Sequence, residues 1–339
     1  MRAGRKNRSL SALGTTAWCH ALALLLVVVP TGALSATKAL AFPPGRFEFS
    51  ELHMGVEVRI VMYAREEQQA RAAARAAFDE LAVLEDIMSD YRPKSEIRSL
   101  GNRPSEWLKA SEPLFTVLAR AVEVARASDG AFDPTLGPLV ALWRESRRVR
   151  RLPSDAQLDS ARMRVGWRHM ALDSVRRRIR LARRGMRLDL GGIAKGYAVQ
   201  RATQVLRTRG VVSALVEAGG DITVTDAPPG EAGWRIDVPG ADSSVRARAS
   251  ALTNASISTS GPSAQFVEIG GVRYSHVVDP RTGIGLTSGA QATVIATDGA
   301  LADALSTALT VLSGRAVASL LARYPGTTAS ITRGRPLDF

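Results

Sequence analysis

Two hydrophobic periods stand side by side, and together they restrict the architecture more than any other feature of the chain. Met54–Met62 (MGVEVRIVM) alternates apolar and polar residues, which predicts a strand with one buried face. Directly after it, Glu67–Met88 places Ala70, Ala74, Phe78, Leu81, Leu84 and Met88 at helical spacing, an amphipathic helix able to cover that strand. A polar loop over Ser89–Asn102 follows. Ser111-Glu112-Pro113 opens a second helix with a capping hydroxyl and an early proline, and Asp129-Gly130 closes it. Further strands are expected at Met186–Leu190, Val211–Val216, Ile222–Val224, Trp234–Val238, Phe266–Ile269 and Ala292–Ala296, and helices at Ala194–Thr208 and Leu301–Leu312. Strands and helices mix without a regular βα repeat. The expected fold is therefore α+β, a single mixed-sheet domain with packed helices, rather than a doubly wound sheet.

The N-terminus reads as a separate element. Arg2, Arg5, Lys6 and Arg8 precede an apolar run, Ala21–Val29, that suits a signal-peptide core and is too short to span a bilayer. Ala39-Leu40-Ala41 offers a cleavage site, with Ala36 as a second. Residues 1–41 are set aside as a cleaved signal peptide, leaving a domain over 42–339. The mature chain is expected in the periplasm, with association at the inner membrane left open. Cys19, the only cysteine, falls in the excluded segment, so no thiol chemistry is expected.

The net charge of +13 has a local origin. Between Arg144 and Arg187 stand 15 arginines against Glu145, Asp155, Asp159 and Asp173. This Arg-rich connecting region, 144–187, reads as helix and hairpin. Aromatic interleaving of the nucleic-acid kind is absent, so nucleic acid is not an expected partner and a solvated surface is the plain reading.

Chemistry concentrates in three segments. In LDLGGIAKGYA (Leu188–Ala198) a strand leaves through Asp189, turns on Gly191-Gly192 and enters a helix. Glycines let the backbone approach a ligand, and a helix N-terminus with Lys195 beside it favours an anion. Lys195 opposes the helix dipole, a placement that suggests a negative partner. The same pattern also serves as a tight turn. Asp303 and Thr307 stand at i and i+4 beside Ser306, hard oxygen donors of the kind Mg²⁺ accepts; alternatively, Asp303 caps its helix and Thr307 bonds back to a carbonyl. In YSHVVDPRTG (Tyr274–Gly283), His276 precedes Asp279 and Arg281 and is a candidate base, or a packed strand histidine. GAFDPTLG (Gly130–Gly137) places Phe132 to stack and Asp133 to hydrogen-bond, or simply turns, and Thr259-Ser260-Gly261 reads as a simple loop.

In this order the segments resemble the ApbE family of FAD:protein FMN transferases, from about Met54 to Leu312. The parts that carry the resemblance are MG at Met54, SDYRPKSEI at Ser89–Ile97, GAFDPTLGPLV at Gly130–Val140, DLGGIAKGYA at Asp189–Ala198, EAGGDI at Glu217–Ile222, TSG at Thr259–Gly261, HVVDPRTG at His276–Gly283 and ADALSTAL at Ala302–Leu309. The resemblance implies an ApbE-like fold and Mg²⁺-dependent transfer of the FMN moiety of FAD to a Ser or Thr hydroxyl of an acceptor flavoprotein, releasing AMP. It implies that Asp303, Ser306, Thr307 and the Gly192 carbonyl hold the metal. Asp189, Lys195, Phe132, Asp133 and the backbone near Ala131 and Val277 would line the FAD site, with Met54 and Tyr91 against its rings and His276 as base. FAD and the acceptor are the implied partners, and membrane contact would come at most peripherally, through the acceptor. Departures from the common family pattern are Val56 for Thr, a shifted Asn102, Glu217 for Asn and Pro262 for Asp. Two other readings share these residues: an FAD pyrophosphatase giving FMN and AMP, and an exported FAD carrier without catalysis.

Overall fold

The computed structural model describes residues 43–239, 246–248, 251–261 and 266–333. The signal segment and Pro262 lie outside the described residues. The alternating run forms β2 (Val56–Ala64), paired along its length with a strand not expected from the sequence, β1 (Gly45–His53). β1 lies at a sheet edge and buries no residue fully; its burial alternates, but Glu51 takes the half-buried side and Leu52 is 81% exposed, so its hydropathic alternation is weak. Met54 and Gly55 are the turn between them, with φ of 52° and 77°, the pair of positive values that matches the twist of a tight hairpin.

Helix α1 (Glu67–Met88) follows as expected. Inside the expected polar loop sits a short helix, α2 (Glu96–Leu100), held down by buried Ile97 and Leu100. After β3 (Leu108–Lys109), helix α3 (Glu112–Ala127) starts where Ser111 Oγ accepts from the Leu114 N–H at 3.4 Å. The Arg-rich region starts within α4 (Gly137–Val149) and contains α5 (Asp155–Arg162) and a hairpin of β4 (Met170–Asp173) and β5 (Arg178–Leu181), with β3 pairing on β5. Met186–Leu190, expected as a strand, instead makes one isolated bridge, Arg187 to Leu136, because its neighbour is the turn-rich 131–136 loop, which offers no ladder.

The second half comprises α6 (Ala194–Thr208), β6 (Ser213–Ala218), β7 (Asp221–Val224), β8 (Asp237–Pro239), β9 (Arg246–Arg248), β10 (Ala255–Ser260), β11 (Phe266–Ile269), β12 (Val272–Ser275), β13 (Ala290–Ala296), α7 (Gly299–Val311), α8 (Arg315–Leu321) and β14 (Thr328–Arg333). Trp234 makes only an isolated bridge, to Leu252, and the strand expected from it begins at Asp237.

Seven strands form the main sheet in the order β1-β2-β6-β7-β10-β13-β14, antiparallel in every pairing. The mixture in this α+β fold lies in the order of helices and strands along the chain. One face buries Val58, Ile60, Met62, Ala214, Val216 and Val294 under α1, α6 and α7. The other buries Val61, Leu215, Val224 and Ile257 beneath Trp234 and Ile236. Covered on both sides, β6 (SALVEA) carries almost no polar alternation. A third cluster, Leu139, Trp143, Leu158, Tyr274 and Val278, fastens α4 and α5 to the segment after β12. No helix among the described residues is long and apolar enough to cross a membrane.

Candidate functional site

Helices α6 and α7 cross where neither has a side chain. A Cβ on Gly196 would stand 2.1 Å from the Gly299 carbonyl oxygen and 2.7 Å from Asp303 Cβ, and a Cβ on Gly299 would stand 2.2 Å from the Gly196 carbonyl oxygen. This contact brings the Gly196 N–H to Asp303 Oδ2 at 3.1 Å, so Asp303 caps the N-terminus of α6 from another helix. Its own helix is capped by Asp298, whose Oδ1 accepts from the Leu301 N–H at 2.9 Å.

Lys195 meets its negative partner inside the chain. Its ammonium pairs with Asp221, the first residue of β7. Burial works against the Lys195 charge, but Asp221 and Asp303 outweigh it and hold its pKa above the ordinary lysine range. The helix terminus and the lysine, read from the sequence as open to an external anion, are thus already answered by two carboxylates. Those carboxylates carry the imbalance. Burial first, then the neighbouring Asp221 charge, pushes Asp303 well above the usual carboxylate range. Asp221 Oδ1 is buried with no hydrogen-bond partner. One ammonium against two carboxylates leaves this enclosed site short of positive charge.

Hydroxyls complete the surroundings. Ser306 Oγ donates to the Asp303 carbonyl at 2.9 Å and lies 3.1 Å from Ser258 Oγ and 2.8 Å from Ser260 Oγ. Ser260 Oγ is 3.2 Å from Thr307 Oγ1. Thr259 and Ser260, read as part of a loop, therefore end strand β10, and Ser260 belongs to the cluster. Gly192 abuts Thr307 so closely that a Cβ would stand 2.7 Å from Thr307 Oγ1. Among the described residues no group of three or more His, Cys, Asp or Glu could hold a metal. A cation here would draw on one or two carboxylates, hydroxyls and a backbone carbonyl, with water or ligand oxygens for the rest. That donor set and the charge deficit fit a hard divalent ion.

The tight turns Met54-Gly55 and Gly219-Gly220 frame this end of the sheet. Val56 packs on Gly219, where a Cβ would stand 3.0 Å from Val56 Cγ1. The Thr259 N–H donates to the Gly220 carbonyl at 3.0 Å. Met54 holds a left-handed backbone, a conformation uncommon for a non-glycine residue, and packs partly buried against the core.

On the other flank, Asp189 Oδ1 accepts from the Gly191 N–H at 2.9 Å and Oδ2 accepts from Arg144 at 3.3 Å. Burial, then nearby Asp90, raises the Asp189 pKa against the pull of Arg144. Arg144 also pairs with Asp90 and lies 4.2 Å from the Tyr91 ring centroid, leaving Tyr91 71% exposed as a platform. The Asp189 N–H donates to the Pro134 carbonyl at 2.9 Å, which sets the 131–134 loop beside it. In that loop Phe132 is buried in the main core. The Ala131 N–H donates to Ser128 at 3.1 Å. Asp133 accepts from the Thr135 N–H and hydroxyl at 2.7 and 2.6 Å and from the Trp167 N–H at 3.0 Å. Both residues thus shape the loop from beneath, and the contact with Asp189 is made by its backbone.

His276 directly follows β12 and is half-buried. Trp143 Nε1 donates to the Ser275 carbonyl at 3.0 Å, so adjacent residues of α4, Trp143 and Arg144, secure the His276 segment and the Asp189 segment together. Asp279 turns its oxygens to Arg281, at 2.8–3.0 Å. The Val277 N–H donates to Ser275 Oγ at 3.1 Å and its carbonyl accepts from the Leu286 N–H at 2.9 Å.

Comparison with known proteins gives this arrangement a context. The ApbE family model matches residues 54–331. The chain belongs to the ApbE family. An FAD:protein FMN transferase of Treponema pallidum is 31% identical over 298 residues, 83% of this chain and 82% of that one. One from Klebsiella pneumoniae is 29% identical, over 78% of this chain and 81% of its own. The crystal structure of the apo flavinyl transferase ApbE from Pseudomonas stutzeri superposes with a TM-score of 0.74 at 28% identity, covering 88% of this chain and 97% of that one. An ApbE protein from Thermotoga maritima gives the same TM-score at 29% identity, covering 86% and 97%.

In this ApbE chain the structure adds Asp221, Ser258, Ser260 and Arg144 to the residues read from sequence. Asp221 lies inside EAGGDI, and an acid directly after a Gly-Gly pair was the available signal. Of the departures, Val56 packs on Gly219, Glu217 pairs with Arg59 at 2.6 Å, and Asn102 follows α2 with its N–H donating to the Ser99 carbonyl at 3.2 Å.

Proposed function

We propose that the chain transfers the FMN moiety of FAD to a serine or threonine hydroxyl of an acceptor flavoprotein, releasing AMP, with Mg²⁺ at the crossing of α6 and α7. The observation that carries this reading is the buried, unpartnered Asp221 Oδ1 beside Asp303 and Lys195 in a chain of the ApbE family. Asp303, Ser306, Thr307 and the Gly192 carbonyl would hold the ion. When bound, Mg²⁺ supplies neutralisation of charge on the diphosphate oxygens.

The remaining steps belong to the protein and its substrates. The acceptor hydroxyl oxygen bonds to the FMN-side phosphorus while the bond from that phosphorus to the bridging oxygen breaks, and AMP departs with the bonding pair. An imidazole nitrogen of His276 takes the hydroxyl proton. Tyr91 and Met54 face the rings of FAD, and the segments around Ala131, Phe132, Asp133, Asp189, Lys195 and Val277 shape its site. Positioning and charge do most of the work in phosphoryl transfer, so no nucleophile of the chain is required.

Incubating residues 42–339 with FAD, Mg²⁺ and a candidate acceptor domain, then weighing the acceptor, tests the reading. A gain of one FMN moiety supports it; free AMP with an unmodified acceptor points to hydrolysis, and intact FAD retained on the chain points to a carrier. Chelating the metal is expected to stop AMP release. His276→Ala is expected to slow transfer by about 100-fold or more while FAD affinity changes little. An equal loss of both would remove His276 as the base. The N-terminal run supports export to the periplasm, and a mature chain starting at Phe42 or Thr37 is the expected product; recovery of the chain with Met1 retained would overturn it.

A further inference from the structure

The outer face of the β3-β5-β4 sheet is basic and carries apolar tips. Paired residues of antiparallel strands point to the same side, so Lys109, Arg178 and Asp173 share a face with Arg180, while Leu108, Ile179 and Leu172 turn to the core. Trp107 lies on that outer face, 37% exposed, with the Arg178 and Arg180 guanidinium carbons 5.7 and 4.9 Å from its ring centroid. At the hairpin tip, next to Arg176 and Arg177, Val175 is 91% exposed. Beyond the other end of β5, Arg183 donates to the Met163 carbonyl at 3.2 Å and the Arg164 stem lies against Gly185. Met163 is 67% exposed. Arg176 and Arg178 share Asp173, but Arg164, Arg177, Arg180, Arg183 and Arg184 form no ion pair among the described residues.

Unpaired arginines around isolated apolar tips select a particular kind of partner. A single-stranded nucleic acid calls for open aromatic faces, and Trp107 already has arginines against it. A folded acidic protein calls for a shaped apolar centre, whereas Val175, Trp107 and Met163 project separately. A bilayer surface needs neither: its phosphates accept guanidinium groups at many positions, and its headgroup layer takes tryptophan and small apolar tips. We propose that this face docks the chain directly on a bilayer rich in anionic phospholipid. The proposal is independent of the flavin chemistry.

Residues 42–339 form a compact unit of their own, so they are tested without the first 41, which removes the apolar run Ala21–Val29 as a second source of bilayer affinity. Co-sedimentation is measured with phosphatidylcholine vesicles that contain or lack phosphatidylglycerol. Binding is expected only with phosphatidylglycerol and is expected to weaken as salt rises. Each arginine near such a surface contributes about fivefold to partitioning, so Arg180→Glu with Arg184→Glu is expected to lower it at least about 25-fold with an unchanged melting temperature. Val175→Asp is expected to weaken binding on its own, because its side chain would place a charge in the headgroup layer. Parent protein that ignores both vesicle types, or a double variant that binds as well as the parent, overturns the proposal. So does binding confined to single-stranded nucleic acid or polyglutamate, which would assign the face to a polyanion instead.

Discussion

Asp303→Ala is expected to reduce AMP release from FAD by about 100-fold or more, the scale on which an aligned charge-stabilising group matters to a transition state. The residue has two tasks. Its carboxylate supplies negative charge beside Asp221, and it accepts the Gly196 N–H at 3.1 Å. Removing it leaves a buried donor unsatisfied, at a cost of about 1–3 kcal/mol. Asp303→Asn separates the tasks, because an amide oxygen still accepts from Gly196 while the charge is gone. The asparagine variant is expected to melt near the parent temperature yet to lose turnover as fully as the alanine variant. Normal turnover by Asp303→Ala without added metal would sink the assignment of a metal to this site. If Asp303→Asn keeps full activity, the hydrogen bond matters and the charge does not.

Gly196→Ala is expected to be the most damaging single-methyl change near the site. The added carbon would stand 2.1 Å from the Gly299 carbonyl oxygen, and that obstacle is backbone, which cannot rotate aside. The helices must separate, and with them the cap between Gly196 and Asp303 and the placement of Lys195 opposite Asp221. Overpacking of this severity costs about 3 kcal/mol. For a domain of this size that corresponds to a melting temperature lower by about 5 °C. Gly191→Ala is the control, since its nearest neighbour would be Asp189 Oδ1 at 3.1 Å, the end of a side chain. Calorimetry alongside AMP release checks both variants. A Gly196→Ala protein with parental melting and parental turnover would show that the helix crossing does not set the site.

Much of this molecule was legible from local pattern. The boundaries of α1 and α6, the cap at Ser111 and the helix-and-hairpin character of the Arg-rich region follow from periodicity, side-chain caps and glycine, all of which act within a few residues. Elements whose stability comes from elsewhere were not. β1 has a weak alternation and exists because β2 pairs with it along its whole length. Met186–Leu190 has strand-like composition but only a loop beside it. Thr259-Ser260-Gly261 has the composition of a turn, yet β13 pairs with β10 as far as Ser260, beyond the last β7 partner at Ser258, and draws the strand out.

The site divides in the same way. The Gly-Gly turn, Lys195, and Asp303 with Thr307 on one helix face all stood in the sequence by itself, as did the presence of EAGGDI and His276. What Lys195 faces did not. Its position at a helix N-terminus is compatible with an external anion, and only the packing of α6 on α7 and β7 shows that Asp221 and Asp303 answer it and leave negative charge over. Gly196 and Asp303 are 107 residues apart, and no local propensity couples residues so distant. They meet because two glycines let two helices touch through their backbones, an outcome of tertiary packing that a single chain read in order cannot display.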